Sequence, residues 1–164
     1  TQQKTLGTVG KISFEGKTVY EKVMDAGKKV KAFIDIYEGF EAIVIEHTVF
    51  INSPKTAADL ALVQGALLGA ASLNKIKIAG SINPITWQSY IGNNKLTSAE
   101  KQQLMKEYPA KSKNWYANKS RDIRKLRTIH FVNTYYDKSI TDNDVADAIG
   151  IGHWAINNWG KVDK

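Results

Sequence analysis

The residues best suited to chemistry are acids. Asp144 and Asp147 stand in the stretch Ile140-Thr-Asp-Asn-Asp-Val-Ala-Asp-Ala-Ile-Gly-Ile-Gly-His-Trp-Ala155, which reads as a helix opening with acid. Their spacing places both carboxylates on one helix face, one turn apart. Two carboxylates so close repel each other, and are tolerable if solvated or if a divalent cation neutralises them. Oxygen donors of this kind suit Mg²⁺ or Mn²⁺. A plainer reading is a solvated first turn, with Thr141 as N-cap and Asp144 completing a capping box. A third acid, Glu46, ends Glu41-Ala-Ile-Val-Ile-Glu46, a short run apolar on both faces. That pattern predicts a central strand covered on both sides. In open α/β sheets, ligands sit beyond the carboxyl ends of such strands. A lone buried charge is costly there, so Glu46 is either part of a site or the first exposed residue past the strand.

Other chemistries find little support. There is no cysteine, which excludes a disulfide framework and thiolate zinc, and fits a reducing cytoplasm. His47, His130 and His153 are scattered without zinc spacing, and neither a Gly-rich phosphate loop nor a serine nucleophile elbow is present. What remains is an acidic metal cluster that could activate water against a phosphodiester.

The charge points the same way. The formal net charge is +7. Lys101 to Lys138 holds ten basic residues against Glu107, Asp122 and Asp137, so this stretch alone carries the whole excess. Within it Lys111, Lys113, Lys119, Arg121 and Arg124 are interleaved with Trp115 and Tyr116. Basic residues with aromatics suit phosphate contacts plus base stacking. An ordinary surface helix with Ile123, Leu126, Ile129 and Phe131 facing inward is compatible with this on its opposite face.

The elements that must position these groups follow from periodicity. Thr5 to Phe14 alternates and predicts a strand, with Gly7 and Gly10 at bulges or a bend. Val19, Val23, Ala26, Val30, Phe33, Ile34 and Tyr37 form one stripe, predicting a helix from Thr18 to Tyr37 that Gly39 stops. His47 to Lys55 is expected to be a loop. Phe50 within it either packs on its own domain or wedges against a DNA base. Thr56 to Leu73 is the most regular helix, and Gly65, Gly69 and Ala70 permit close packing in the core or across a dimer. Lys75 to Gly80 alternates after it, so strand, helix and strand suggest a parallel crossover. Pro84 starts a short helix over Ile85 to Ile91. Thr97 with Glu100 makes a capping box for a polar helix that Pro109 ends.

At 164 residues the chain is expected to be one domain. It begins at Thr1 rather than Met, as a processed or trimmed piece would. No run approaches a membrane span and no signal peptide is apparent, so no membrane partner is expected.

Taken together, the sequence resembles the RuvC-like Holliday junction resolvases, in particular their bacteriophage branch. The resemblance is carried by Ala42-Ile-Val-Ile-Glu-His-Thr-Val-Phe50, Leu62-Val-Gln-Gly-Ala-Leu-Leu-Gly-Ala-Ala71, Pro84-Ile-Thr-Trp-Gln-Ser-Tyr-Ile-Gly92, Lys119-Ser120 and Asp144-Val-Ala-Asp-Ala-Ile149, in the family's order. It implies an α/β, RNase H-like fold, a central mixed sheet flanked by helices. It also implies a homodimer, a place in phage recombination in the bacterial host's cytoplasm, and divalent-metal nicking of four-way and other branched DNA. Glu46, Asp144 and Asp147 match three of the family's four metal-binding acids. Lys119 matches a basic residue near the scissile phosphate, and Phe50 falls near a junction-contacting aromatic. Trp87 stands where cellular members usually have a lysine, and residues 95–118 look like an insertion. The family opens with a strand ending in the fourth acid, whereas no Asp or Glu precedes Glu15 here. The chain as it stands is therefore expected to cut weakly or not at all. The alternatives are a branched-DNA-binding protein of this fold that does not cut, and a related enzyme acting on RNA–DNA hybrids or flaps.

Overall fold

A computed structural model of the chain describes residues 5–37, 39–47 and 53–162. Phe50 lies outside the described residues. The chain divides into two compact units. One comprises Gly10–Pro84 and Ala155–Lys164, the other Thr1–Val9 and Ile85–Trp154.

The first unit contains α1 (Val19–Ile36), β1 (Ala42–Glu46), α2 (Pro54–Leu73) and β2 (Lys77–Ile82). A capping box starts α1: Glu21 N–H donates to Thr18 Oγ1 at 3.2 Å, and Glu21 Oε2 accepts from Thr18 N–H at 3.1 Å. Such a cap contributes about 1 kcal/mol. The turn before it requires glycine: Gly16 has φ +150, and a Cβ there would meet Glu21 Cβ at 2.6 Å. The expected stripe holds from Val19 to Ile34, with Ala26 and Val30 buried, whereas Tyr37 is exposed past the helix end.

β1 and β2 pair in parallel around the α2 crossover, as their spacing predicts. The register runs Ile43↔Ile78 then Val44↔Gly80, so Ala79 is skipped at a bulge beside Gly80, whose φ is +141. The described sheet has these two strands only. Every β1 residue is half-buried, so this is not the strand covered on both faces that its composition predicts. A mixed sheet is likewise not seen among the described residues.

Local expectations change in places, and β2 lies two residues later than the 75–80 expected. α2 begins at Pro54, because Ser53 Oγ caps Thr56 N–H at 3.3 Å and Pro54 needs no donor at the first helical position. Residues 5–16 are not a strand. Gly7 and Gly10 weaken extended pairing, and side chains hold the segment instead. Lys29 Nζ donates to Ser13 O at 2.8 Å, and Glu15 N–H donates to Asp25 Oδ2 at 2.7 Å.

α2 also corrects the expectation about membrane-length helices. It is long and apolar enough to cross a membrane by length and composition, at a mean hydropathy of 1.4. Counting unbroken apolar runs overlooks it, since Asp59 and Gln64 interrupt the run without lowering the mean enough. In the fold it packs against α1 and β2.

The second unit contains α3 (Pro84–Tyr90) apart from its first residue, α4 (Ser98–Glu107), α5 (Lys113–Tyr136) and most of α6 (Asn143–Asn157). The predicted Thr97–Glu100 capping box is formed. Val132, Ala146 and Ile149 make the core between α5 and α6, with Leu6, Ile129, Phe131 and Tyr136 packed against it. Leu126 is 64% exposed, contrary to its expected inward position, while Ile123 and Ile129 are half-buried.

Candidate functional site

The acidic pair is built by the start of α6. Ala146, Ile149 and Gly150 face inward, which leaves Asp144 exposed and Asp147 half-buried. Asp142, not Thr141, caps the helix. Its Oδ1 accepts from Asp144 N–H at 2.8 Å and Val145 N–H at 3.2 Å, and its carbonyl accepts from Ala146 N–H. Asp144 therefore completes no capping box with Thr141. It sits in the first turn, where the helix dipole favours an acid, and its Oδ1 accepts from Asn143 Nδ2 at 2.8 Å. Asp142 alone supplies the side-chain cap of α6, so capping does not require Asp144 or Asp147.

Glu46 ends β1, as expected, and is half-buried. Its carbonyl accepts from Gln64 Nε2 at 2.8 Å, tying the strand end to α2. His47 N–H continues the ladder to Ile82 O at 2.8 Å. The structure brings Asp144 and Asp147 together on one helix; Glu46 belongs to the other compact unit. Their oxygens have the right chemistry for a hard divalent cation. Yet among the described residues no three His, Asp or Glu side chains form a group that could hold one. No chemical step through a metal follows from this geometry.

The basic segment forms a helix with a capped start: Trp115 N–H donates to Ser112 Oγ at 3.2 Å. Lys113 and Arg121 are exposed. Lys111 Nζ lies 5.8 Å from the Trp115 ring, and Lys119 Nζ lies 5.8 Å from the Tyr108 ring. Tyr108 and Trp115 are themselves 5.2 Å apart, so lysines and rings make one cationic, aromatic surface where α4 meets α5. Tyr116 anchors it by donating from its hydroxyl to Tyr108 O at 2.5 Å. Arg124 is half-buried and turned toward α3, where its guanidinium donates to Gln88 Oε1.

Trp87 is wholly buried, so its place is in packing. Sequence reasoning also missed a polar cluster along α5. Arg127 pairs with Glu100. Hydrogen bonds from Thr97 N–H and its hydroxyl, then the Arg127 guanidinium, hold the Glu100 carboxyl below its ordinary value. Asn93 Nδ2 donates to Arg124 O at 2.8 Å and Thr128 Oγ1 at 2.9 Å. Only the recurrence of polar residues at helical spacing from 124 to 128 hinted at it.

The fold has a known counterpart. A structure titled "Thermus thermophilus RuvC structure" superposes with a TM-score of 0.56, covering 86% of this chain and 72% of that one, at 14% identity. The α/β arrangement, a parallel strand pair flanked by helices, is thus RuvC-like. No family model matches the sequence. No curated protein matches it either. The likeness lies in the fold.

Proposed function

We propose that this chain is a structure-selective DNA-binding nuclease of the Holliday junction resolvase type. The observation that carries the reading is the pairing of a RuvC-like fold with two acids on α6 that helix capping does not require. The basic, aromatic surface of α5 supplies phosphate contacts and stacking. Junction shape and backbone, rather than base edges, would be recognised. Lys111, Lys113, Arg121 and Lys119 are the residues offered to phosphates. Glu46, Asp144 and Asp147 are the residues that would hold Mg²⁺ or Mn²⁺. Such an ion supplies an activated water and neutralises charge on a phosphodiester.

The resemblance also implies a homodimer, and α2 gives that proposal physical support. Ala58, Ala61, Leu62, Gly65, Gly69 and Leu73 recur at helical spacing and are all exposed. A Cβ on Gly65 or Gly69 would meet nothing within 4 Å. An apolar stripe with small residues suits a second copy of the chain. Work on recombining phage DNA in a host cytoplasm belongs to the same proposal.

A second reading is binding without cutting. It rests on the cationic, aromatic surface where α4 meets α5, which would serve DNA binding without any cutting step. One experiment separates the two: gel shift and cleavage of a labelled four-way junction against linear duplex of the same sequence, with and without Mg²⁺. Junction-selective binding with metal-dependent nicks supports the nuclease. Selective binding without nicks supports the second reading. Equal, salt-sensitive binding to both DNAs overturns both.

A further inference from the structure

A groove of about 620 Å³ runs along the second half of α5. The loop after α3 lends it Ile91 and Asn93; α5 lends Arg127, His130, Phe131 and Tyr135. The α5 residues recur every three or four positions and so share one face. A volume of this size is within the range of small-ligand sites.

Its walls are unusual in three ways. Tyr135 is 61% exposed, yet its ring stacks on Phe131 at 5.6 Å and 23°. An exposed ring backed by another adds little to a core, but it presents a rigid π face. Buried His153 braces the pair edge-on, 4.6 Å from Tyr135 and 5.1 Å from Phe131, and is itself bonded to the Tyr136 hydroxyl at 2.9 Å. The aromatic wall is therefore fixed before any ligand arrives, which lowers the ordering cost of binding.

The second feature is Asn93. It is 3% exposed, and its two amide hydrogen bonds fix which atom is nitrogen, because Arg124 O can only accept. Its buried Oδ1 then has no partner among the described residues. An acceptor left in that state is costly, and marks this wall of the groove as incompletely satisfied. The third feature is charge. Arg127 is largely answered by Glu100, so the groove is weakly rather than strongly cationic, with exposed His130 at its rim. That favours a flat, mostly apolar group with a polar edge over a bare phosphate. The surrounding segment, with its ten basic residues against three acids, draws a polyanion that carries such groups.

We infer that this groove takes an unpaired nucleobase of a DNA strand, stacked on Tyr135, with its polar edge toward the Asn93 wall and its phosphate beside His130. The inference rests on the nucleic-acid reading above and adds a second contact point to it. An aromatic side chain of a protein partner would fit the ring but not use the cationic segment.

The test measures full-length chain binding to a four-way junction with fully paired arms and to one with a short oligothymidine extension. The extension is expected to tighten binding roughly tenfold, the scale of one stacked base. Tyr135→Ala should abolish that gain and leave affinity for the paired junction unchanged; Tyr135→Phe should keep it. A parallel titration follows the His130 and Tyr135 ring resonances by NMR with oligothymidine alone and with thymidine monophosphate. Shifts with the oligonucleotide but not the mononucleotide identify a base within a strand. Shifts with both at similar affinity make the site one for free nucleotides and overturn the inference. Paired-junction binding with no gain from the extension sinks the groove while leaving the proposed function standing. Oligothymidine binding without junction selectivity does the reverse.

Discussion

Gly150 and Trp87 fit together because Gly150 lacks a side chain: a Cβ there would lie 2.8 Å from Cζ3 and 3.0 Å from Cε3 of the buried indole. The ring is fully buried and rigid, so the contact cannot be relieved by a flexible end. Gly150→Ala should therefore destabilise the protein by about 1–3 kcal/mol despite the better helix propensity of alanine. Trp87→Ala leaves a cavity and should cost about 3–5 kcal/mol. Urea unfolding of the two variants checks both values. Stabilisation by Gly150→Ala would show that α6 has room to shift.

The two roles of acid at the start of α6 can be separated. Asp142→Ala removes the cap and should cost roughly 0.5–2 kcal/mol. Asp144→Asn keeps the cap but removes a first-turn charge, and should cost less than about 1 kcal/mol. If the proposed nuclease reading holds, Asp144→Asn should nonetheless abolish junction nicking while junction binding stays equal or tightens. Thermal melts and cleavage assays on the same preparations decide it. A variant that nicks as well as the parent would reduce Asp144 to an ordinary surface acid.

The Glu100 carboxylate, bonded by Thr97 and then by Arg127, gives stability an acid dependence. The Glu100 carboxyl is held below its ordinary value of 4.5 by hydrogen bonds from Thr97, then by Arg127. Its contribution is complete above the unfolded value and is lost as pH falls through the lower folded value. Glu100→Gln should lower stability at neutral pH and flatten the loss seen below about pH 4.5. Unfolding curves at neutral and acid pH would show identical slopes for parent and variant if the pair contributes nothing.

Leu62 on the exposed stripe of α2 tests the proposed dimer. Leu62→Lys should convert a dimer to a monomer in sedimentation equilibrium and alter the stability of each protomer by less than about 0.5 kcal/mol. A mass unaffected by this change would remove α2 from the interface.

Much of the local architecture was legible in the sequence, because it rests on short-range chemistry. The Thr97–Glu100 box, the stop at Pro109 and the spacing of Asp144 and Asp147 all depend on neighbours within a turn, and the parallel crossover between β1 and β2 follows from the order and length of its elements. The resemblance to RuvC-like proteins also came from the sequence, and its fold component has a structural counterpart.

Other features depended on partners distant in sequence, which only the tertiary structure supplies. Residues 5–14 alternate like a strand, but extended chain becomes a strand only where another edge accepts its hydrogen bonds. Asp142 displaced Thr141 as the cap, since packing of Ala146 and Ile149 against Val132 sets where the helix begins. Trp87 became a core residue because Gly150 leaves space for its ring, and Leu126 turned outward because α5 pivots on Thr128 and Val132. The groove beside Tyr135 combines residues from α5 with the loop after α3, and periodicity within α5 carries no information about that loop. Sequence alone thus determined which groups the chain carries and how each helix turns; tertiary packing decided which of them meet, because burial and hydrogen-bond pairing are properties of both partners at once.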